Sequence, residues 1–115
     1  MLRIVKAAKH SYDGFKALWF EKAFRQEIYL GIVLLPFLFV LHISVMLKLL
    51  LIILFLLLLV VETLNSAIEA VVDRVSLEIH PLSKLAKDFG SAAVCLMLII
   101  NVIAWTYSVY LHFLP

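Results

Sequence analysis

The sequence predicts an all-α membrane protein, with an N-terminal amphipathic surface helix followed by three transmembrane helices. Three observations lead there. The 115-residue chain is 65% hydrophobic and only 16% charged, with a mean hydropathy of +1.11, whereas a soluble domain carries about a quarter charged residues. Its apolar residues fall into three long blocks, and its basic residues cluster around two stretches of chain. The single cysteine, Cys95, excludes an internal disulfide framework and a cysteine zinc cluster.

The elements follow in order, within one domain. Over residues 1–26, Ile4, Ala8, Tyr12, Phe15 and Trp19 recur at spacings of three and four, with Lys6, Lys9, Asp13 and Lys16 opposite them. That pattern describes a basic amphipathic helix lying on a membrane surface. It lacks the short apolar core and small-residue cleavage site of a signal peptide, and no lipidation motif is present. Residues 28–47 form the expected first span, mildly interrupted by Pro36, His42 and Ser44. The second, 49–72, opens on an unbroken apolar run from Leu49 to Val61 and continues towards water. Residues 73–90 read as a connection in which Pro81 and Gly90 mark turns or helix ends. The third span covers 91–112, with Asn101, Thr106 and Ser108 as its polar members. Crossing a ~30 Å hydrocarbon core takes roughly 20 helical residues, and helices are required because lipid leaves no partner for open backbone groups.

Charge sets the orientation. Arg3, Lys6, Lys9, Lys16, Lys22 and Arg25 precede the first span, and Arg74, Lys84 and Lys87 lie between the second and third. Only Lys48 falls between the first and second. The positive-inside rule places the N-terminus and the 73–90 connection in the cytoplasm, with Trp105, Tyr107, Tyr110 and His112 in the aromatic belt of the far face.

The second span carries the chemistry. Glu62, Asn65, Ser66, Glu69 and Asp73 recur at three and four and so share one helix face. A carboxylate at the bilayer centre costs about 2.5–3.5 kcal/mol. Interhelical hydrogen bonding accounts for Asn65 and Ser66 as well as function does, but Glu62 and Glu69 point to a site or pathway. Glu69 follows Glu62 by seven residues, about 10 Å along the axis, too far for a carboxylate dyad. Glu62 is placed to act as a general base at the lipid level, and Glu69 to hold a hard cation such as Mg²⁺ nearer water. Glu21 and Glu27 supply further acids at that level. In the connection, Lys87 beside Asp88 suits a phosphate contact and a polar or metal contact, or else a plain solvated loop. No Gly-x-x-x-x-Gly-Lys-Ser/Thr loop and no soluble-kinase motif set is present.

The run Glu62-Thr63-Leu64-Asn65-Ser66-Ala67-Ile68-Glu69-Ala70-Val71-Val72-Asp73-Arg74 resembles the signature of the prokaryotic integral-membrane diacylglycerol kinases. His80, Leu82, Ser83, Ala86-Lys87-Asp88 and Gly90 to Val94 resemble that family's next block. So do Glu21 with Ala23-Phe24-Arg25-Gln26-Glu27, and Arg3-Ile4 with Lys6-Ala7-Ala8, and the likeness extends from Arg3 to Tyr110.

The resemblance implies a homotrimeric kinase of the bacterial inner membrane that transfers phosphate from ATP to diacylglycerol, giving phosphatidate. By matching position, it implies Glu62 as the base with Asn65 in support, and Glu21 and Glu69 as ligands of Mg²⁺. Arg3, His10, Glu21, Glu69, Glu78, His80, Lys87 and Asp88 would form the nucleotide site. Trp19, Ala23, Phe24, Arg25, Gln26, Glu27, Lys48, Glu62, Ser91, Trp105, Tyr107 and Tyr110 would contact lipid. His10 and Ile79 depart from the aromatic and the Tyr expected of the family. An undecaprenol kinase of the same architecture is the sister alternative. From a different class, Glu62 and Glu69 would line an ion pathway in a small conducting or assembly subunit.

Overall fold

A computed structural model describes all 115 residues as four helices and no strand. They are α1 (Leu2–Leu18), α2 (Lys22–Phe37), α3 (Val45–Val75) and α4 (Pro81–His112). α3 and α4, of 31 and 32 residues, are long and apolar enough to cross a membrane and pack side by side. α2 packs against α3. α1 stands apart from the bundle, with Leu18 its only buried residue.

Several boundaries differ from expectation. The surface helix does not run to residue 26. It ends at Leu18, where the Phe20 and Glu21 amides reach back three residues to Ala17 and Leu18 and tighten the chain into a turn. Glu21 is extended, and Lys22 begins α2. No glycine or proline marks this break; the change of direction into the bundle overrides local helix propensity.

The expected first span, 28–47, is helical only as far as Phe37. Pro36 has no N–H to donate, and the amides of Leu38, Phe39 and Val40 then bond three residues back, to Leu35, Pro36 and Phe37. The 16 residues of α2 amount to about 24 Å, short of the ~20 residues a crossing needs. Below it, Leu38, Leu41 and Leu51 form a buried cluster joined by Leu35, Ile52, Ala104 and Trp105.

α3 starts earlier than expected, capped by Ser44, whose Oγ accepts the Leu47 N–H at 3.1 Å. Lys48 therefore lies in its first turn rather than in a connection. The helix runs past the polar face to Val75. The 73–90 connection shrinks to Ser76–His80, because α4 begins at Pro81 with His80 accepting the Leu82 N–H at 3.1 Å. Proline suits the first helical position, where its missing donor costs nothing. Gly90 is no helix end: it sits inside α4, where its missing side chain lets Asn65 of α3 press against the helix. Gly31 serves α2 likewise, since a Cβ there would meet the Phe55 ring at 2.6 Å.

Candidate active site

The polar face of α3 is where the bundle holds its buried charge. Glu62 and Asn65 are only 6% and 8% exposed. Glu27, on the second turn of α2, is 8% exposed and lies close enough to Glu62 to act on it, while its Oε2 has no hydrogen-bond partner. Glu21 and Glu69 lie close enough to act on Glu62 through their charge. Carboxylates gathered this way repel one another, so the cluster is built to receive positive charge. Asn65 donates from Nδ2 to Glu69 Oε1 at 3.4 Å, while its Oδ1 packs against Gly90 with no hydrogen-bond partner.

Within the chain no group of three or more acids, histidines or cysteines is arranged to hold a metal alone. Mg²⁺ does not ask for such a cage. It binds through one or two carboxylates and completes its shell with phosphates and water; Glu21 and Glu69, the two carboxylates expected to serve it, both lie near Glu62.

Farther along α3 the face opens into a cleft of about 290 Å³ between the end of α3, the Ser76–His80 link and the first turns of α4. Asp73, Glu78, His80, Lys84, Lys87 and Asp88 line it. Lys87 Nζ bonds to Asp73 Oδ1 at 2.7 Å and Lys84 Nζ to Asp88 Oδ2 at 2.6 Å. The bond to Asp73 raises the pKa of Lys87, which lies before the apolar part of α4. The Ser76 hydroxyl accepts the Glu78 N–H at 3.0 Å and shapes the floor of the link.

On the lipid side, an apolar groove of about 460 Å³ runs from Phe15 and Phe24 along Leu56, Leu59, Val60 and Leu64 of α3. It flanks the turn that carries Glu62.

Four of the residues expected at a nucleotide site, Glu78, His80, Lys87 and Asp88, converge on one cleft. Glu21, Glu27, Glu62 and Glu69 gather one level higher. Arg3 and His10 are exposed on α1 and line neither. The expected lipid contacts divide. Trp19, stacked edge-on with Tyr29 at 6.0 Å, stands at the site end with Ala23 to Glu27 and Ser91. Lys48, Trp105, Tyr107 and Tyr110 belong to the opposite end, where α3 begins and α4 finishes.

Sequence reasoning does not find Lys84 as a cleft residue, the facing of Glu27 and Glu62, or the seat of Asn65 on Gly90. Lys84 carries a signal, its i, i+3 spacing to Lys87. The other two are tertiary.

Comparison with known proteins gives a consistent result. The family model described as prokaryotic diacylglycerol kinase matches residues 9–109. The diacylglycerol kinase of Escherichia coli strain K12 is 46% identical over 115 residues, covering 96% of this chain and 92% of that protein. The diacylglycerol kinase of Pseudomonas aeruginosa is 52% identical over 104 residues, covering 90% and 85%. That of Haemophilus influenzae is 41% identical over 106 residues, covering 91% and 90%.

Proposed function

The chain belongs to the prokaryotic diacylglycerol kinase family, and from that premise we propose that it moves the γ-phosphoryl group of ATP onto the free hydroxyl of diacylglycerol, forming phosphatidate at the cytoplasmic face of a bacterial inner membrane. The family is one of kinases, which sets aside the ion-pathway alternative. The observation that carries the reading is the order of groups along one face of α3: buried Glu62, then Glu69 a further ~10 Å on, then Asp73 at the mouth of the cleft.

Phosphoryl transfer asks a protein for position and for compensation of phosphate charge. The diacylglycerol enters by the groove between Phe15, Phe24 and α3, which brings its hydroxyl to the level of Glu62. Glu62 takes the hydroxyl proton as the oxygen bonds to the γ-phosphorus and the bond to the β-phosphate oxygen breaks, releasing ADP. Asn65, tied to Glu69, keeps the two carboxylates in register. Glu78, His80, Lys87 and Asp88 hold the nucleotide in the cleft. Glu21 and Glu69 would hold Mg²⁺, which supplies neutralisation of phosphate charge. Arg3 and His10 reach a nucleotide only through movement of α1 or from a neighbouring subunit, in keeping with a homotrimer whose sites are shared.

In the membrane, α2 makes the first crossing with the help of the Leu38–Ser44 connection, and α3 and α4 make the second and third. The N-terminus and the Ser76–His80 link face the cytoplasm, because Arg3, Lys6, Lys9, Lys16, Arg74, Lys84 and Lys87 all belong to that side.

The test is transfer of label from γ-labelled ATP to lipid in mixed micelles, with diacylglycerol and undecaprenol offered separately and together, with and without Mg²⁺. Magnesium-dependent labelling of diacylglycerol that undecaprenol does not compete away is the expected result. Preferential labelling of undecaprenol would replace the acceptor, and labelling that survives chelation would remove the metal role of Glu21 and Glu69.

A further inference from the structure

We propose that Lys84 is a second phosphate-binding cation of the cleft, contacting the polyphosphate of ATP; this rests on the reading of that cleft as the nucleotide site. Three carboxylates, Asp73, Glu78 and Asp88, line the cleft, against two ammonium groups, Lys84 and Lys87. His80 has its Nδ1 committed to the Leu82 amide. With Lys87 as the only cation, the cleft would set three negative side chains against one positive and would repel a polyphosphate. Lys84 narrows that imbalance.

Its position suits the task. Lys84 precedes Lys87 by three residues on α4, so both project from the same side of the helix into the same space. Both are held in place by carboxylates, Lys84 by Asp88 and Lys87 by Asp73. The Lys84–Asp88 pair is the more exposed, with 73% and 56% of the two side chains accessible. Exposed ion pairs hold weakly, so exchanging the Asp88 carboxylate for a phosphate oxygen costs Lys84 little. An ammonium on a flexible stem binds phosphate as a point charge from several directions and can follow the polyphosphate as it seats.

The competing account is that Lys84 only closes an i, i+4 pair at the start of α4. Initial rates at saturating diacylglycerol and varied MgATP separate the two, using wild type, Lys84→Met, Lys84→Arg and Lys87→Met. The expected result is a KM for ATP raised about fivefold to tenfold in Lys84→Met, with kcat unchanged. ADP inhibition should weaken in parallel, and Lys84→Arg should return close to wild type. A KM for ATP that moves in Lys87→Met but not in Lys84→Met overturns the role of Lys84 and leaves the nucleotide cleft standing. A KM that moves in neither overturns the cleft reading and this inference with it. A fall in kcat with KM unchanged makes Lys84 a structural residue and overturns the proposal.

Discussion

The two ends of the α3–α4 pair are held together by opposite means. At the site end, a missing side chain at Gly90 lets α4 approach so closely that Asn65 packs on its backbone, and the buried space is filled by Glu27, Glu62 and Asn65. At the far end, Leu38, Leu41 and Leu51 fill the gap, and the His42 N–H donates to His112 Nδ1 at 2.8 Å, pinning the α2–α3 connection to the end of α4. One end spends buried volume on groups that are costly to bury and chemically capable, and the other spends it on contacts that hold the helices. The difference teaches where damage should show. Substitutions at the site end should cost activity ahead of stability, and those at the far end stability ahead of activity.

The largest effect should come from Glu62→Gln. It keeps shape and burial but cannot accept the proton, so kcat should fall by on the order of 10²–10⁴, with helix content and thermal unfolding close to wild type. If Glu62→Gln unfolds the protein while residual molecules keep their kcat, the contrast between the ends is broken. Gly90→Leu comes next. Its side chain must displace Asn65, and misplacement by about 1 Å at a reacting centre costs about 10²-fold; kinetics and unfolding of the same sample show which loss dominates. Leu51→Ala should reverse the pattern. It opens a cavity at a fully buried position, but lipid tails are as apolar as leucine, so the loss should stay below the ~2–5 kcal/mol of a soluble core. Unfolding in graded detergent measures that loss, and activity per folded molecule, assayed before unfolding, should change by less than about twofold. Asn101→Leu sharpens the comparison at its middle. It removes the bond from Asn101 Nδ2 to the Leu54 carbonyl at 3.0 Å, a link between α4 and α3 worth about 0.6 kcal/mol on the bacteriorhodopsin average.

Much of the site end is legible in the sequence, because helical periodicity places Glu62, Asn65 and Glu69 on one face once a helix is granted. Their burial follows from the cost of charge in lipid. The apolar runs of α3 and α4 are legible for the same reason, since bilayer thickness forces a length. What stays hidden has three physical causes. Glu27 meets Glu62 only when α2 docks on α3, and no spacing rule spans that gap. The break at Trp19–Glu21 uses no breaker residue, so local propensity runs straight through it. Pro81 to Gly90 read as part of the connection because a helix that leaves the membrane becomes polar, and the apolar signal stops where the helix does not. Gly90 illustrates the last cause: read in isolation glycine suggests an end, whereas in a packed pair it marks closest approach.

The shortness of α2 has a consequence for the membrane itself. If α2 and the Leu38–Ser44 connection make the first crossing, that flank of the protein presents only about 24 Å of α-helix, while α3 and α4 extend to about 46 and 48 Å. A bilayer accommodates a short hydrophobic wall by thinning beside it, at a cost of fractions of a kcal/mol per Å of mismatch. Under that reading lipids next to α2 would be drawn towards the level of Glu27 and Glu62, and those with shorter chains would fit that annulus best. The same helix that supplies a carboxylate to the site would sort the lipids that wait beside it.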